Sequence, residues 1–111
     1  MTQAELASAI ERGLAQSGVV ERKLAFIMAE TEDGETSYRC CLLGAALIGH
    51  FGLDEALKMK AGYQTSDYLD FVIAQLDITR TLARAVEWDY SQLNKPRTEV
   101  LTKLRANQYA E

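Results

Sequence analysis

Residues 40–49 are Cys40-Cys41-Leu42-Leu43-Gly44-Ala45-Ala46-Leu47-Ile48-Gly49, ten consecutive residues with no charge and no hydroxyl group. A stretch this apolar cannot face water along its whole length. It is too short to cross a bilayer, which takes about 20 apolar residues. Its glycines and alanines allow other backbones to approach closely. We therefore expect a buried central helix at about residues 40–51, ending at Gly52.

The segment before this helix begins with a helix start signal. Thr2 and Glu5 have the spacing of a capping box, in which each side chain binds the other residue's backbone N–H. Apolar residues then recur every three or four positions until Gly18, which can adopt a left-handed stop conformation. This pattern predicts a first helix at about residues 3–17.

The residues between these two helices have the pattern of a short hairpin. Asp33-Gly34 lies in a polar setting and is typical of a type I′ turn, because both central residues of that turn need a positive φ. We therefore predict strands at residues 24–30 and 35–40, although the apolar spacing of the first strand also fits a helix. The hairpin would span about residues 24–40.

Helix signals continue after the central helix. Asp54 is placed to cap a short helix that ends near Gly62, and Thr65 or Ser66 can cap the next helix.

Two apolar stripes, in residues 69–76 and 82–89, are slightly out of phase, which indicates a kink or break near Asp77. Asn94 and Pro96 mark the start of a final helix, whose predicted buried face consists of Val100, Leu101 and Leu104.

Length and composition indicate one domain, residues 1–111, with enough apolar residues (48%) to fill one core. The predicted fold is mainly α: a compact bundle of four to six helices around the central helix, with the short β-hairpin. The net charge of −4 argues against sequence-independent binding of nucleic acid, which depends on clustered Lys and Arg. No charged start precedes an apolar region, so we expect neither a signal peptide nor a membrane anchor, and a cytoplasmic protein without a membrane partner.

The two cysteines are adjacent, so a bridge between them would be strained and both are expected to be free thiols. Cys41 near a helix start beside Arg39 could have a lowered pKa, but burial among Leu and Ala favours a packing role. The single histidine, His50, lies nine residues further along the same helix, about 13 Å away at about 1.5 Å per residue. A Cys–His dyad within one chain is therefore disfavoured.

The sequence has no pattern for a cofactor or metal. It lacks the glycine-rich phosphate-binding motifs and the separated Cys/His pairs of a zinc site. An acidic run lacks the ligand spacing of a calcium loop and is interpreted as a solvated hairpin tip; it comprises Glu30, Glu32, Asp33 and Glu35.

Several carboxylates on the predicted later helices have no acid–base pattern and are expected to face water, namely Asp67, Asp70, Asp77, Glu87 and Asp89. Arg80, Arg84 and Arg97, with Lys95, could form an anion-binding patch. The alternative for Arg80 and Arg84 is ordinary pairing with Asp77 and Glu87.

Four aromatic residues, Tyr63, Tyr68, Trp88 and Tyr90, could line a partner-binding surface. Tyr and Trp supply a large contact area together with a polar group. Trp88 fits a core position equally well.

Four short motifs occur in order along the chain: Asp33-Gly34, Cys41-x-Leu43-Gly44-Ala45-Ala46, Val86-x-Trp88-Asp89 and Arg97-Thr98-Glu99-Val100-Leu101. Together they resemble small uncharacterised proteins of phages and bacteria, which have a Cys-Ala-Leu-Gly-Ala core helix and a later Trp-Asn-Asp, Arg-Thr, Glu-Val-Leu ending. This chain departs from that pattern at Leu42, at Asp89-Tyr90 and in a longer connection up to Arg97. The resemblance covers roughly residues 30–104. It implies a compact domain in a phage or mobile-element setting, with Trp88, Asp89 and Arg97 in one local constellation.

These patterns favour a non-catalytic accessory or inhibitory protein that binds another protein, with a homo-oligomer also expected. The alternative is a protein that binds or sequesters a small anionic, nucleotide-like ligand between subunits. A cysteine-dependent enzyme is the third possibility.

Overall fold

The computed structural model describes residues 1–62 and 68–111. The helices in these residues are α1 (Gln3–Leu14), α2 (Leu42–Phe51), α3 (Leu53–Gly62), α4 (Tyr68–Leu76), α5 (Arg80–Glu87) and α6 (Arg97–Arg105), with a π-helical turn at Trp88–Gln92. The strands are β1 (Val19–Glu21), β2 (Ile27–Glu32) and β3 (Glu35–Cys40). The predicted class, mainly helical with a short β element, is confirmed. No helix in the described ranges is long and apolar enough to cross a bilayer.

The apolar stretch forms the buried centre, as predicted. Residues 41–48 are all buried, and α2 begins at Leu42 with Cys41 as its N-cap. The predicted start at residue 40 is wrong because Cys40 ends β3, where it pairs with Glu21 of β1 and Ile27 of β2. The predicted helix end is confirmed, since Gly52 follows α2 with a φ of 91°.

Helices α1 and α2 pack backbone to backbone through small residues. A Cβ atom on Gly49 would lie 1.7 Å from the Ala9 carbonyl oxygen, and a Cβ atom on Gly13 would lie 1.9 Å from the Ala45 carbonyl oxygen. The pairing of Ala9 with Gly49 and of Gly13 with Ala45 means that the two helices run antiparallel. Only glycine leaves room for this approach, which places α2 at the centre of the core.

The predicted capping box is present at the start of α1. The Glu5 N–H donates to Thr2 Oγ1 (3.1 Å), and the Thr2 N–H donates to Glu5 Oε1 (2.9 Å). The helix ends at Leu14, three residues earlier than predicted. It ends early because the chain turns through Gly18, at a φ of 81°, to enter β1.

The hairpin is confirmed, with positive φ at both Asp33 (53°) and Gly34 (82°). Its first strand begins at Ile27, so the predicted strand position of Leu24 is wrong: Leu24 has a φ of 65° and is 79% exposed. The sheet also has a strand that the sequence pattern did not show. β1 pairs parallel to β3 and gives the order β1-β3-β2, but its three residues are too few to display alternation.

The later helices follow the predicted breaks. Asp77 has a φ of 53° between α4 and α5, which confirms the break. Asp54 lies in the first turn of α3 and is not its cap, since α3 begins at Leu53. The predicted caps Thr65 and Ser66 lie outside the described residues.

Pro96 is the N-cap of α6, and the predicted buried face of this helix is confirmed. That face consists of Val100, Leu101 and Leu104.

Candidate binding surface at the π-helical turn

Large apolar side chains are exposed at few places in the described residues, and two of them flank the π-helical turn. Trp88 is 57% exposed and Leu93 is 51% exposed. The Leu93 N–H donates to the Trp88 carbonyl oxygen at 2.9 Å, so the two residues lie one π-helical turn apart. Single π-helical turns occur frequently at functional sites.

Arg84 lies beside this pair. It is four residues before Trp88, which places both side chains on one helical face, and the Trp88 N–H donates to the Arg84 carbonyl oxygen. Arg84 is exposed and has no ion-pair partner within the described part of the chain. We call Arg84, Trp88 and Leu93 the Trp88 surface.

The next residue but one in the turn, Tyr90, points inward and binds β1. It is 1% exposed, and its hydroxyl donates to Glu21 Oε2 at 2.6 Å. The other oxygen of Glu21 accepts from Arg97 Nη1 at 3.0 Å. One carboxylate of β1 therefore holds both the π-helical turn and the start of α6.

Lys23 fixes the same turn from a second direction. Its ammonium donates to the carbonyl oxygens of Tyr90 (2.7 Å) and Lys95 (2.8 Å) and lies 3.6 Å from the centroid of the Tyr90 ring. Burial lowers the pKa of Lys23, an effect that Glu21 partly offsets. Leu24 follows directly in the chain, so its exposed side chain lies on a loop that is tied to the π-helical turn.

Asp89 forms a second network under the turn. The Tyr109 hydroxyl donates to Asp89 Oδ2 at 2.7 Å, and the ammonium groups of Lys95 and Lys103 lie 3.5 and 3.6 Å from the carboxylate oxygens. The prediction that Asp89 faces water is wrong, because these three partners hold it in a buried position. Burial raises the pKa of Asp89, but the Tyr109 hydrogen bond and the two ammonium groups outweigh it, so the pKa lies below its usual value.

The same network fastens the end of the chain to its beginning. The Gln3 side-chain amide donates to the Tyr109 carbonyl oxygen (2.7 Å), and the Tyr109 N–H donates to Gln3 Oε1 (3.0 Å). Burial and the Asp89 carboxylate both raise the pKa of Tyr109, so its hydroxyl remains a donor at neutral pH. Trp88 thus lies on a turn whose next two residues, Asp89 and Tyr90, form hydrogen bonds or ion pairs with five other residues of the chain, namely Glu21, Lys23, Lys95, Lys103 and Tyr109.

The predicted aromatic surface is only partly assembled. Trp88 is exposed, so its core interpretation is wrong, whereas Tyr90 is buried and cannot contribute an exposed ring. Tyr68 is half-buried and stacks on Phe26, with ring centroids 5.0 Å apart. Tyr63 lies outside the described residues.

Two of the three predicted anion-binding arginines pair with carboxylates of different elements, and Arg84 has no ion-pair partner in the described part of the chain. Arg80 pairs with Asp70 of α4 and Arg97 with Glu21 of β1, while Arg84 belongs to the Trp88 surface. The predicted pairing of Arg80 and Arg84 with Asp77 and Glu87 is wrong for the described residues, because Asp70 lies closer to Arg80 across the α4–α5 contact.

The resemblance implies that Trp88, Asp89 and Arg97 lie together in one local group, but the structure places Asp89 and Arg97 in separate networks. Asp89 binds Tyr109 and two lysines, whereas Arg97 binds Glu21. Asp89 and Arg97 therefore anchor the same turn through separate networks.

Both thiols lie in the core. Burial raises the pKa of Cys40 to about 12 and also raises that of Cys41. The thiolate, which is the nucleophilic form, is therefore scarce at neutral pH. Among the described residues, no group of three His, Cys, Asp or Glu side chains is placed to share a metal ion. The hairpin tip is exposed at Glu32, Asp33 and Glu35, as predicted, whereas Glu30 is half-buried and pairs with Arg22 and Arg39.

Leu24 and Leu93 belong to the site but were not among the residues predicted from the sequence. Leu93 is the lone apolar residue in Ser91-Gln92-Leu93-Asn94-Lys95, and an isolated leucine in a polar loop is a signal for an exposed contact. Leu24 had no such signal because its neighbours fit a strand. No known protein family, curated protein or solved structure matches this chain.

Proposed function

We propose that this protein is a non-catalytic binding domain that holds a partner protein at the Trp88 surface, with Leu24 as a neighbouring contact. The observation that carries the proposal is an exposed tryptophan on a π-helical turn whose next two residues, Asp89 and Tyr90, are buried and hydrogen-bonded. Trp and Arg are the residue types most enriched among the side chains that dominate binding energy at protein interfaces.

The two networks under the turn support this proposal because they remove flexibility before binding. Immobilising a side chain or loop during association costs about 0.5–1.5 kcal/mol per residue. Here the backbone under Trp88 is already held by Glu21, Lys23 and Asp89. The partner would meet a preformed anchor, and more of the contact energy would appear as affinity.

The backbone of Leu24 gives independent support. A leucine at a φ of 65° costs about 1–2 kcal/mol relative to the right-handed region, and its side chain is 79% exposed. The fold thus carries strain and exposed apolar area at one residue that Lys23 fixes to the π-helical turn. Strain that the surrounding structure maintains is concentrated at binding sites.

Three further elements complete the proposal. The raised thiol pKa values support a non-catalytic role. The resemblance of the Cys41 and Trp88 motifs supports an accessory or inhibitory role in a phage or mobile-element setting. We place that role in the cytoplasm, where the two free thiols stay reduced.

A photo-crosslinking amino acid at position 93 tests the proposal. In a lysate of the native host, we expect one dominant crosslinked protein with the label at Leu93, and no such product with the label at Glu55, an exposed residue of α3. Trp88→Ala should abolish the crosslink at position 93, and Trp88→Phe should keep part of it. Equal crosslinking from positions 93 and 55, or from the Trp88→Ala variant, contradicts the proposal.

A further inference from the structure

The outer edge of β2 is an open backbone surface. The sheet order β1-β3-β2 places β2 at an edge. The Tyr38 N–H donates to the Gly18 carbonyl oxygen and the Arg22 N–H to the Cys40 carbonyl oxygen, so Tyr38 and Cys40 turn their backbone groups toward β1. Because these groups alternate in direction along a strand, residues 35, 37 and 39 turn theirs toward β2.

The register then identifies the free groups of β2. Met28, Glu30 and Glu32 are opposite residues 39, 37 and 35 and use their backbone groups inside the hairpin. Ile27, Ala29 and Thr31 therefore direct N–H and C=O away from the sheet. Lys60 of α3 confirms this direction, because its ammonium binds the Ile27 carbonyl oxygen from outside. In residues 1–62 and 68–111, no group is bonded to the outward backbone of Ala29 or Thr31.

The side chains along this edge differ between its two ends. At the turn, Glu32, Asp33 and Glu35 are exposed and have no ion-pair partner within the described ranges. At the other end, Met28 is 48% exposed in a row with Arg39 and Val20 on the outer face of the sheet. The edge thus offers backbone bonds, an acidic end and an apolar end.

We infer that the outer edge of β2 accepts an extended basic peptide from another protein as a fourth strand, with Lys or Arg beside Glu32 and Asp33 and an apolar residue beside Met28. In strand addition, main-chain hydrogen bonds supply affinity and the alternating side chains supply specificity. This surface is separate from the Trp88 surface, and the inference does not depend on the proposed function.

A second copy of the chain fits this edge less well than a basic peptide. An antiparallel pair that uses both Ala29 and Thr31 places Glu30 of one copy directly opposite Glu30 of the other. Like charges in directly opposite positions destabilise a strand pair, although Arg22 and Arg39 partly offset the charge of each Glu30 here. The net charge of −4 per chain adds repulsion between copies and attraction for a cationic segment.

The synthetic peptide acetyl-Val-Thr-Lys-Thr-Lys-Thr-Val-amide tests the inference with the full-length protein. We expect it to slow hydrogen exchange at the Ala29 and Thr31 amides at least about 10-fold when saturating, because both amides gain a hydrogen bond. A peptide with Glu in place of both Lys residues should not do so. Raising the salt concentration should weaken binding of the lysine peptide.

Matched variants distinguish strand addition from non-specific electrostatic attraction between the basic peptide and the acidic protein. Thr31→Pro removes an outward N–H without removing a hairpin bond and should weaken binding at least about 10-fold, whereas Thr31→Val should not. Glu32→Lys should weaken binding more than Glu111→Lys, which changes the net charge equally at the last residue. If Thr31→Pro does not fold, N-methylation of the peptide backbone tests the same strand pairing, because it removes N–H donors from the peptide and not from the protein.

Three results would overturn the inference. They are equal binding by Thr31→Pro and wild type, unchanged exchange at Ala29 and Thr31 with saturating peptide, and a concentration-dependent dimer in light scattering that Thr31→Pro abolishes. The last result would assign the edge to a second copy. Trp88→Ala should bind the peptide as wild type does, so this test is independent of the proposed function.

Discussion

Replacing Gly49 with alanine should separate the two central helices. The new Cβ would lie 1.7 Å from the Ala9 carbonyl oxygen and 2.7 Å from the Gly13 nitrogen, whereas ordinary van der Waals contact begins near 3.4 Å. Both contacts are with backbone, so a rotamer change cannot relieve them and α1 must move by more than 1 Å. We expect the loss of packing to lower the free energy of unfolding by at least about 3 kcal/mol, after the gain of about 1 kcal/mol from replacing glycine in a helix.

Thermal unfolding followed by circular dichroism measures this loss. At about 4 °C per kcal/mol for a domain of this size, the melting temperature of Gly49→Ala should fall by about 12 °C or more. Gly62→Ala is the matched control, since a Cβ there meets no described atom within 4 Å, and its melting temperature should not fall. A Gly49→Ala protein that melts within about 3 °C of wild type would refute the close packing of α1 on α2.

Three further outcomes are expected. Tyr109→Phe removes a buried donor to a carboxylate and should lower the free energy of unfolding by about 2 kcal/mol in urea titration, while the half-buried Tyr38→Phe should change it by less than about 0.5 kcal/mol. The pKa of Asp89 is lower in the folded than in the unfolded state. The ionised carboxylate therefore stabilises the fold above the unfolded pKa, which is near 4, and this stabilisation is lost as the pH falls through the folded pKa. Asp89→Asn should make the decline of stability below pH 4 shallower. Iodoacetamide should modify Cys40 and Cys41 at pH 7 at least about 100-fold more slowly in the folded than in the urea-unfolded protein, and equal rates would contradict the raised thiol pKa values.

The sequence predicted the elements whose signals are local. The capping box at Thr2 and Glu5, the turn at Asp33-Gly34 and the apolar run of α2 each depend on neighbouring residues, and all three are present. Strand β1 was missed because three residues cannot show a period, and because its pairing with β3 joins residues 19 apart in sequence.

The site was less predictable because its residues meet only in the folded chain. Asp89 and Tyr90 follow Trp88 directly, and nothing in the order of these residues shows that Asp89 and Tyr90 are buried while Trp88 is exposed. Which side chains are buried depends on their hydrogen-bond partners. Glu21 lies 69 residues from Tyr90, and Tyr109 lies 20 residues from Asp89. Long-range polar partners of this kind leave no periodic signal in a single sequence.

One measurement tests the role of the Trp88 surface most directly. The partner protein that is captured by crosslinking at position 93 is titrated by calorimetry against the wild-type chain and against Trp88→Ala, and the melting temperature of both chains is measured alongside. We predict that Trp88→Ala raises Kd at least about 30-fold, equivalent to about 2 kcal/mol, because an exposed anchor residue is lost. The free energy of unfolding should change by less than about 1 kcal/mol, because Trp88 is mostly exposed. An unchanged Kd would contradict the assignment of partner binding to this surface.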